Sequence, residues 1–382
     1  MNEKHAISNK VPFSSNCIRL SVGQWIIVGI VCVAFLYLTP IFWEHIEKFS
    51  PGPDFRIPYN SSNDYWLYER YCRFVNSQNE ILVIGDSVIW GHFVPKDKTL
   101  PHYLDEITDE AQPFDNQLRA DLFANLGLDG IHPAAMEGLL RYYGENITNK
   151  KVILHFNPLW ISTPKLDLQS DKEFIFNHPK LVAQFIPEIP CYKATFSARV
   201  SAVLKRYVTF PNLLTHIKIT YFQNMDIPTW TTENPYKNPL SAVTMHLPEA
   251  DSYEKSEITV PSKNNPTDIG YQWVAPETSF QWKCFKSTIQ LLQQRGNRVF
   301  VLVGPFNEHL LEGESLKSYK NLKIVLESWL ATNNIDFYAP PVLPAELYVD
   351  ASHPTSEGYV LLAQQLLENE SFKDFVLNAG RD

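Results

Sequence analysis

Short apolar runs alternating with segments of helical spacing organise most of the chain. Glu80-Ile-Leu-Val-Ile84 ends at Gly85 and predicts a buried strand. Leu122-Phe123-Ala124, ending at Asn125, predicts a second, and Lys151-Val-Ile-Leu-His155 a third. Arg298-Val-Phe-Val-Leu-Val303 and Ile335-Asp-Phe-Tyr338 supply a fourth and a fifth. Between them, Pro133 to Tyr143 and Glu277 to Arg295 have helical spacing, the latter stopped by Gly296. Leu322, Val325, Leu326, Trp329 and Leu330 mark another helix face, and Ser356 to Leu367 a last helix. Strands alternating with helices predict an α/β domain whose parallel sheet is covered on both faces.

Two stretches break this rhythm. Between Ser162 and Pro276, 115 residues hold 12 of the 27 prolines and show little periodicity. That is too long for a plain loop. We expect an inserted cap over 162–276, with helical pieces near Phe174–Phe185 and Ala198–Tyr207. The second stretch is Leu20 to Trp43, 24 residues without a charge. About 20 apolar residues span a bilayer as a helix, and Trp25 and Trp43 stand where interfacial aromatics belong. Lys4, Lys10 and Arg19 precede the run, and Glu44 and Glu47 follow it. This bias puts 1–19 in the cytoplasm and the rest outside. Bulky Pro40-Ile-Phe-Trp43 offers no small-x-small cleavage site, so an uncleaved single-pass anchor is expected over 20–43. Residues 44–77 are expected to form a spacer and lead-in, and 78–161 with 277–382 the α/β domain.

Composition narrows the function. Lys and Arg number 33 against 42 Asp and Glu, a net charge of −9 with no basic run, which disfavours nucleic acid as a partner. The five cysteines form no CxxC, so a zinc ribbon is not indicated. At most one disulfide can form among Cys72, Cys191 and Cys284. His155, His309 and His353 lack the tight spacing of a metal site, so neither metal nor cofactor is expected.

The chemistry lies at the strand ends. Ile84-Gly85-Asp86-Ser87 puts a serine at a strand-to-helix turn on the carboxyl edge of the sheet, where such folds place ligands. Alone it reads equally as an N-cap. Asp350-Ala-Ser-His353-Pro354 lets a carboxylate and an imidazole share one turn, and His353 is suited to take a proton from Ser87. Asn307 and His309, in Gly304-Pro-Phe-Asn-Glu-His309 after the fourth strand, are substrate-contact candidates or a plain polar loop. His92 and His102 are expected at the surface, and Asp86 in loop structure. Tyr142, Tyr143 and Trp160 suit core packing better than a sugar platform.

Together these residues resemble the SGNH, or GDSL, family of serine esterases and acyltransferases. Gly85-Asp86-Ser87 matches the nucleophile block. Asn125-Leu-Gly-Leu-Asp-Gly130 is similar to the second block, Asn157 to the asparagine block, and Asp350 to Pro354 with Gly358 to the acid–base block. The resemblance covers about 78–160 and 296–368. It departs at His155-Phe-Asn157-Pro158, where the family has Gly-x-Asn-Asp. No Gly-x-Ser-x-Gly occurs, so the α/β-hydrolase elbow is not the template. The resemblance implies a flavodoxin-like three-layer α/β/α sandwich with a large insert. It implies a Ser87–His353–Asp350 triad and an oxyanion hole from the Ser87 and Gly130 N–H groups and the Asn157 amide. The expected activity is extracytoplasmic hydrolysis of an O-acyl ester, acetyl foremost. The alternatives are O-acyl transfer to an envelope glycan beside an integral membrane acyltransferase, or a non-catalytic glycan-binding scaffold.

Overall fold

In a computed structural model, the structure describes residues 20–78, 81–111, 122–185, 189–247 and 271–377. The expectations for 1–19 with Lys4, Lys10 and Arg19, for Glu80 and for 248–270 of the insert fall outside the described residues. The chain opens with helix α1 (Val22–Ile46), then α2 (Tyr65–Ser77), β1 (Ile81–Ile84), α3 (Ser87–Trp90), α4 (Leu100–Ala111) and β2 (Phe123–Asn125). Next come α5 (Pro133–Tyr142), β3 (Lys151–Phe156), α6 (Phe196–Tyr207), α7 (Thr209–Phe222), α8 (Ile227–Glu233) and α9 (Pro239–Ala242). The chain then forms α10 (Phe280–Gln294), β4 (Arg298–Val303), α11 (Gly313–Thr332), β5 (Asp336–Tyr338), α12 (Ser356–Glu368) and α13 (Glu370–Leu377).

The five strands form one parallel sheet in the order β2-β1-β3-β4-β5. Alternate side chains feed two cores. Leu82, Ile84, Val152, Leu154, Phe156, Val299, Val301 and Val303 pack with α2, α5, α10 and α11. Ile81, Val83, Ile153, Phe300 and Leu302 face α4, α12 and α13. Burial on both faces explains why the strands are continuous apolar runs with no polar alternation. The strand order reverses between β1 and β3, and the crevice at their carboxyl ends is where this architecture takes ligands.

Strand and helix expectations fall within a few residues of these elements, with one correction. Residues 174–185 form turns, not a helix. His178 adopts a left-handed backbone at φ 53° and Pro179 follows it, so no helix passes through. The expected helix at Ala198–Tyr207 lies within α6. The ends of the 162–276 segment are tied together: Gln272 N–H donates to Ser162 O at 2.8 Å and Val274 N–H to Ile161 O at 2.9 Å.

Helix α1 is long and apolar enough to cross a membrane, and Pro40 is its one buried residue. Its carboxyl-terminal end is held by a sealed polar knot. Glu47, just past α1, pairs with Arg70 of α2 and accepts from Tyr221 Oη at 2.5 Å and His216 Nε2 at 2.9 Å, both of α7. Nδ1 of His216 meets Asp64 at 2.6 Å. Both ring nitrogens thus face carboxylates, which accept only, so the ring is doubly protonated. Burial opposes its charge, yet Asp64 and Glu47 raise the pKa to about 9.

Candidate active site

Ser87 is placed by the turn that ends β1. At Gly85 a side chain is excluded: an added Cβ would lie 2.3 Å from Ile89 Cγ1 and 2.8 Å from His155 Cβ. The next residue, Asp86, caps the short α3 by accepting from Val88 N–H at 3.0 Å. Ser87 is therefore the first helical residue, just above the carboxyl edge of the sheet.

His353 and Asp350 reach the same place from the loop after β5. Nε2 of His353 lies 2.8 Å from Ser87 Oγ, across 266 positions of sequence. Its Nδ1 lies 2.8 Å from Asp350 Oδ2 and 2.9 Å from Oδ1. The carboxylate accepts only, so Nδ1 carries a proton and Nε2 is left to accept from the serine hydroxyl. The backbone N–H groups of Ser352 and His353 donate to Asp350 Oδ1, each at 2.9 Å. Burial opposes charge on His353, but the bond to Asp350 and its charge, with Asp86 and Asp129 adding, hold the pKa above its ordinary value. Burial likewise acts against Asp350, but His353 and the two N–H groups hold that carboxyl below the usual range.

Asn157 stands at the end of β3 and is tied to the residue before the serine. Its Nδ2 donates to Asp86 Oδ2 at 2.9 Å, and its Oδ1 accepts from Leu159 N–H at 3.0 Å. One side-chain N–H thus serves Asp86, and the amide has a second to offer. Asp86 also accepts from Trp160 Nε1 at 2.8 Å and lies 3.2 Å from His155 Nδ1. Although burial pushes its pKa upward, His155, the Val88 N–H and Asn157 bring it down to about 2. Asp86 is thus an ionised strut under the site, and Trp160 is part of that strut. Gly130 sits at φ +68°, where a Cβ would lie 2.3 Å from Asn177 Nδ2. The loop at Gly130 is held on one side by His92 Nδ1, 2.7 Å from Asp129 Oδ1, and on the other by His178 Nε2, which donates to Asp129 O at 3.0 Å.

Four expectations need correcting or refining. His92 is not a bystander on the surface: its ring lies 5.3 Å from that of His353. His102 is three-quarters buried, with Nδ1 2.9 Å from Asp54. Asn307 is turned to the backbone of the distant 350–351 turn, donating Nδ2 to Asp350 O at 3.2 Å and N–H to Ala351 O at 2.8 Å. It thus braces the loop that carries Asp350. His309 donates Nε2 to Leu343 O at 2.9 Å, earlier in the same connection after β5 that carries Asp350 and His353. Cys72, Cys191 and Cys284 are free, buried thiols.

Three neighbours of the site escaped the sequence reading. Phe93, held at φ 70°, sets its ring edge-on to His353 at 5.4 Å. A bulky residue in the left-handed region close to a titratable group marks a constrained wall. Its closeness to Ser87 in sequence was the available signal. Asn177 and His178 carry no local signal, because they come from the segment beyond β3. Among the described residues, no group of three or more His, Cys, Asp or Glu side chains is arranged to hold a metal ion. A carboxylate, an imidazole and a hydroxyl in hydrogen-bonded series can activate that hydroxyl as a nucleophile. No family model matches the chain. No curated protein matches it either.

Proposed function

We propose that the chain is a membrane-anchored, extracytoplasmic serine enzyme of the SGNH type that acts on O-acyl esters, acetyl esters foremost. The observation that carries this reading is the unbroken series Asp350–His353–Ser87, 2.8 Å at each step. As Ser87 attacks the ester carbonyl, His353 takes its proton and Asp350 steadies the imidazolium. The oxyanion meets the Ser87 and Gly130 N–H groups and the free N–H of Asn157, each such donor contributing about 3–4 kcal/mol. The leaving alcohol takes the proton from His353. Water then attacks the acyl-Ser87, with His353 again as base, and acid is released.

Transfer to a glycan hydroxyl is the second reading. Its support is the 162–276 segment, rooted directly after Asn157, tied at both ends and packed by Asn177 against Gly130. A cover at that place excludes water and favours an alcohol acceptor. Full-length protein is incubated with a fluorophosphonate probe, then with aryl acetates and with acetylated and free polysaccharide. The expected result is probe on Ser87 and acetate release, both lost in Ser87→Ala, with turnover falling by about a thousandfold or more. Acetyl gained by the polysaccharide selects transfer. Turnover within a few-fold of wild type in Ser87→Ala removes the proposal.

A further inference from the structure

Beside α1 stands a second apolar surface that the catalytic domain does not use. Helix α7 runs alongside α1 in the same direction: Phe210 meets Phe35 at 5.7 Å and, further on, Tyr221 meets Trp43 at 6.3 Å. On α1, exposed apolar side chains continue through Ile41 and Phe42 to Ile46. Phe35 lies two turns, about 10 Å, below Phe42. The start of α7 is therefore at a depth where α1 still presents apolar side chains outward. Around that corner Leu204, Tyr207 and Leu214 are 56%, 70% and 50% exposed. Three cations adjoin it: Lys180 and Lys218 lie close enough to Lys205 for their charges to act on it. An apolar tip flanked by lysines is the pattern of a segment seated at a bilayer interface, with the cations at headgroup level.

We propose that the α6–α7 corner, through Leu204, Tyr207, Phe210 and Leu214, is seated in the outer leaflet against lipid, beside α1. The inference rests on the reading of α1 as a membrane anchor. Two points of attachment fix the tilt of the domain, which one helix alone leaves free, and so fix the direction in which the Ser87 crevice faces.

The test is photocrosslinking of purified full-length protein in phosphatidylcholine–phosphatidylglycerol vesicles. The residue p-benzoylphenylalanine replaces Tyr207, Leu214, Ile30 of α1 or Ile324 of α11, one at a time; all four side chains are exposed, so packing is preserved. Lipid adducts at Tyr207 and Leu214 are expected within about threefold of the yield at Ile30 and about tenfold above that at Ile324. Adducts at Ile30 with none at Tyr207 and Leu214 overturn the seat while the anchor stands. Crosslinks from Tyr207 or Leu214 to a second copy of the chain, in place of lipid, also overturn it, by making the corner a protein interface. Absence of lipid adducts at Ile30 as well sinks the anchor reading, and the seat with it.

Discussion

Two carboxylates near Ser87 are each set beside a histidine, and their surroundings separate their roles. Asp86 is buried and committed to Val88 N–H, Asn157 and Trp160. Asp350 has 42% of its side chain exposed and addresses only its own loop and His353. The base works when neutral, so activity should rise with pH through the raised pKa of His353, with its half-maximum above the ordinary 6.5. Replacing Asp350 by Asn removes the charge that lifts that pKa and leaves burial, which lowers it. The half-maximum should then move to lower pH while the maximal rate drops. A pH–rate profile of both proteins decides it, and an unmoved half-maximum would separate Asp350 from the base. Asn157→Ala should cut kcat by about a hundredfold or more and change KM little, since the amide acts on developing charge. Steady-state kinetics that show only a raised KM would make Asn157 a substrate contact. The gathering of Asp350, His353 and Asn157 about Ser87 and Asp86 was readable at the level of residue type and strand placement. Phe93 was not, because its role depends on a left-handed backbone that no local pattern announces.

Among the elements, the α1–α2–α7 junction concentrates buried charge. Glu47 and Asp64 face Arg70 and His216, two anions against two cations. Removing one member strands the others, which typically costs about 3–5 kcal/mol. Glu47→Gln should therefore lower the unfolding midpoint in detergent well below wild type, while Ile324→Ser on exposed α11 leaves it nearly unchanged. The pH dependence has a definite sign. The folded-state pKa of His216 is raised to about 9, so its stabilisation is complete below the ordinary 6.5 and lost as pH rises through about 9. For Glu47, burial works against ionisation, but His216, Tyr221 and Trp43 depress the pKa. Its contribution is present above the ordinary 4.5 and lost as pH falls through the depressed value. Thermal unfolding across pH should show a maximum between these limits, and His216→Gln should remove the alkaline fall. The sequence already marked the strands and helices of the sheet domain, because their apolar periods are long. It missed the turns at 174–185, where the left-handed backbone of His178 ahead of Pro179 overrides the spacing of Phe174, Phe176 and Leu181.

For the whole molecule, the uncharged run becomes a 25-residue helix, about 37 Å long, enough to cross a hydrocarbon layer of about 30 Å. The positive residues ahead of it predict that the sheet domain lies outside the cytoplasm. Protease added to spheroplasts should digest most of the chain, and an amino-terminal tag should be cut only after lysis. Protection of the sheet domain would reverse the orientation.

Local pattern sufficed for what local chemistry controls. The strands are apolar because both faces are covered, Leu20 to Trp43 reads as a membrane-length helix because it is long and carries no charge, and Gly85-Asp86-Ser87 reads as a turn because its residue types demand one. Residue types and their order along the strands were enough to pair Ser87 with Asp350 and His353, although 266 positions separate the serine from the imidazole. Only the folded chain decided that Asn157 and Trp160 close on Asp86, that Asn307 braces the Asp350 loop, and that Glu47 meets His216. Those contacts join elements remote in sequence, and their energy comes from mutual burial and charge pairing. Neither exists until the parallel sheet has brought its carboxyl edge, and α7 its length along α1, into place.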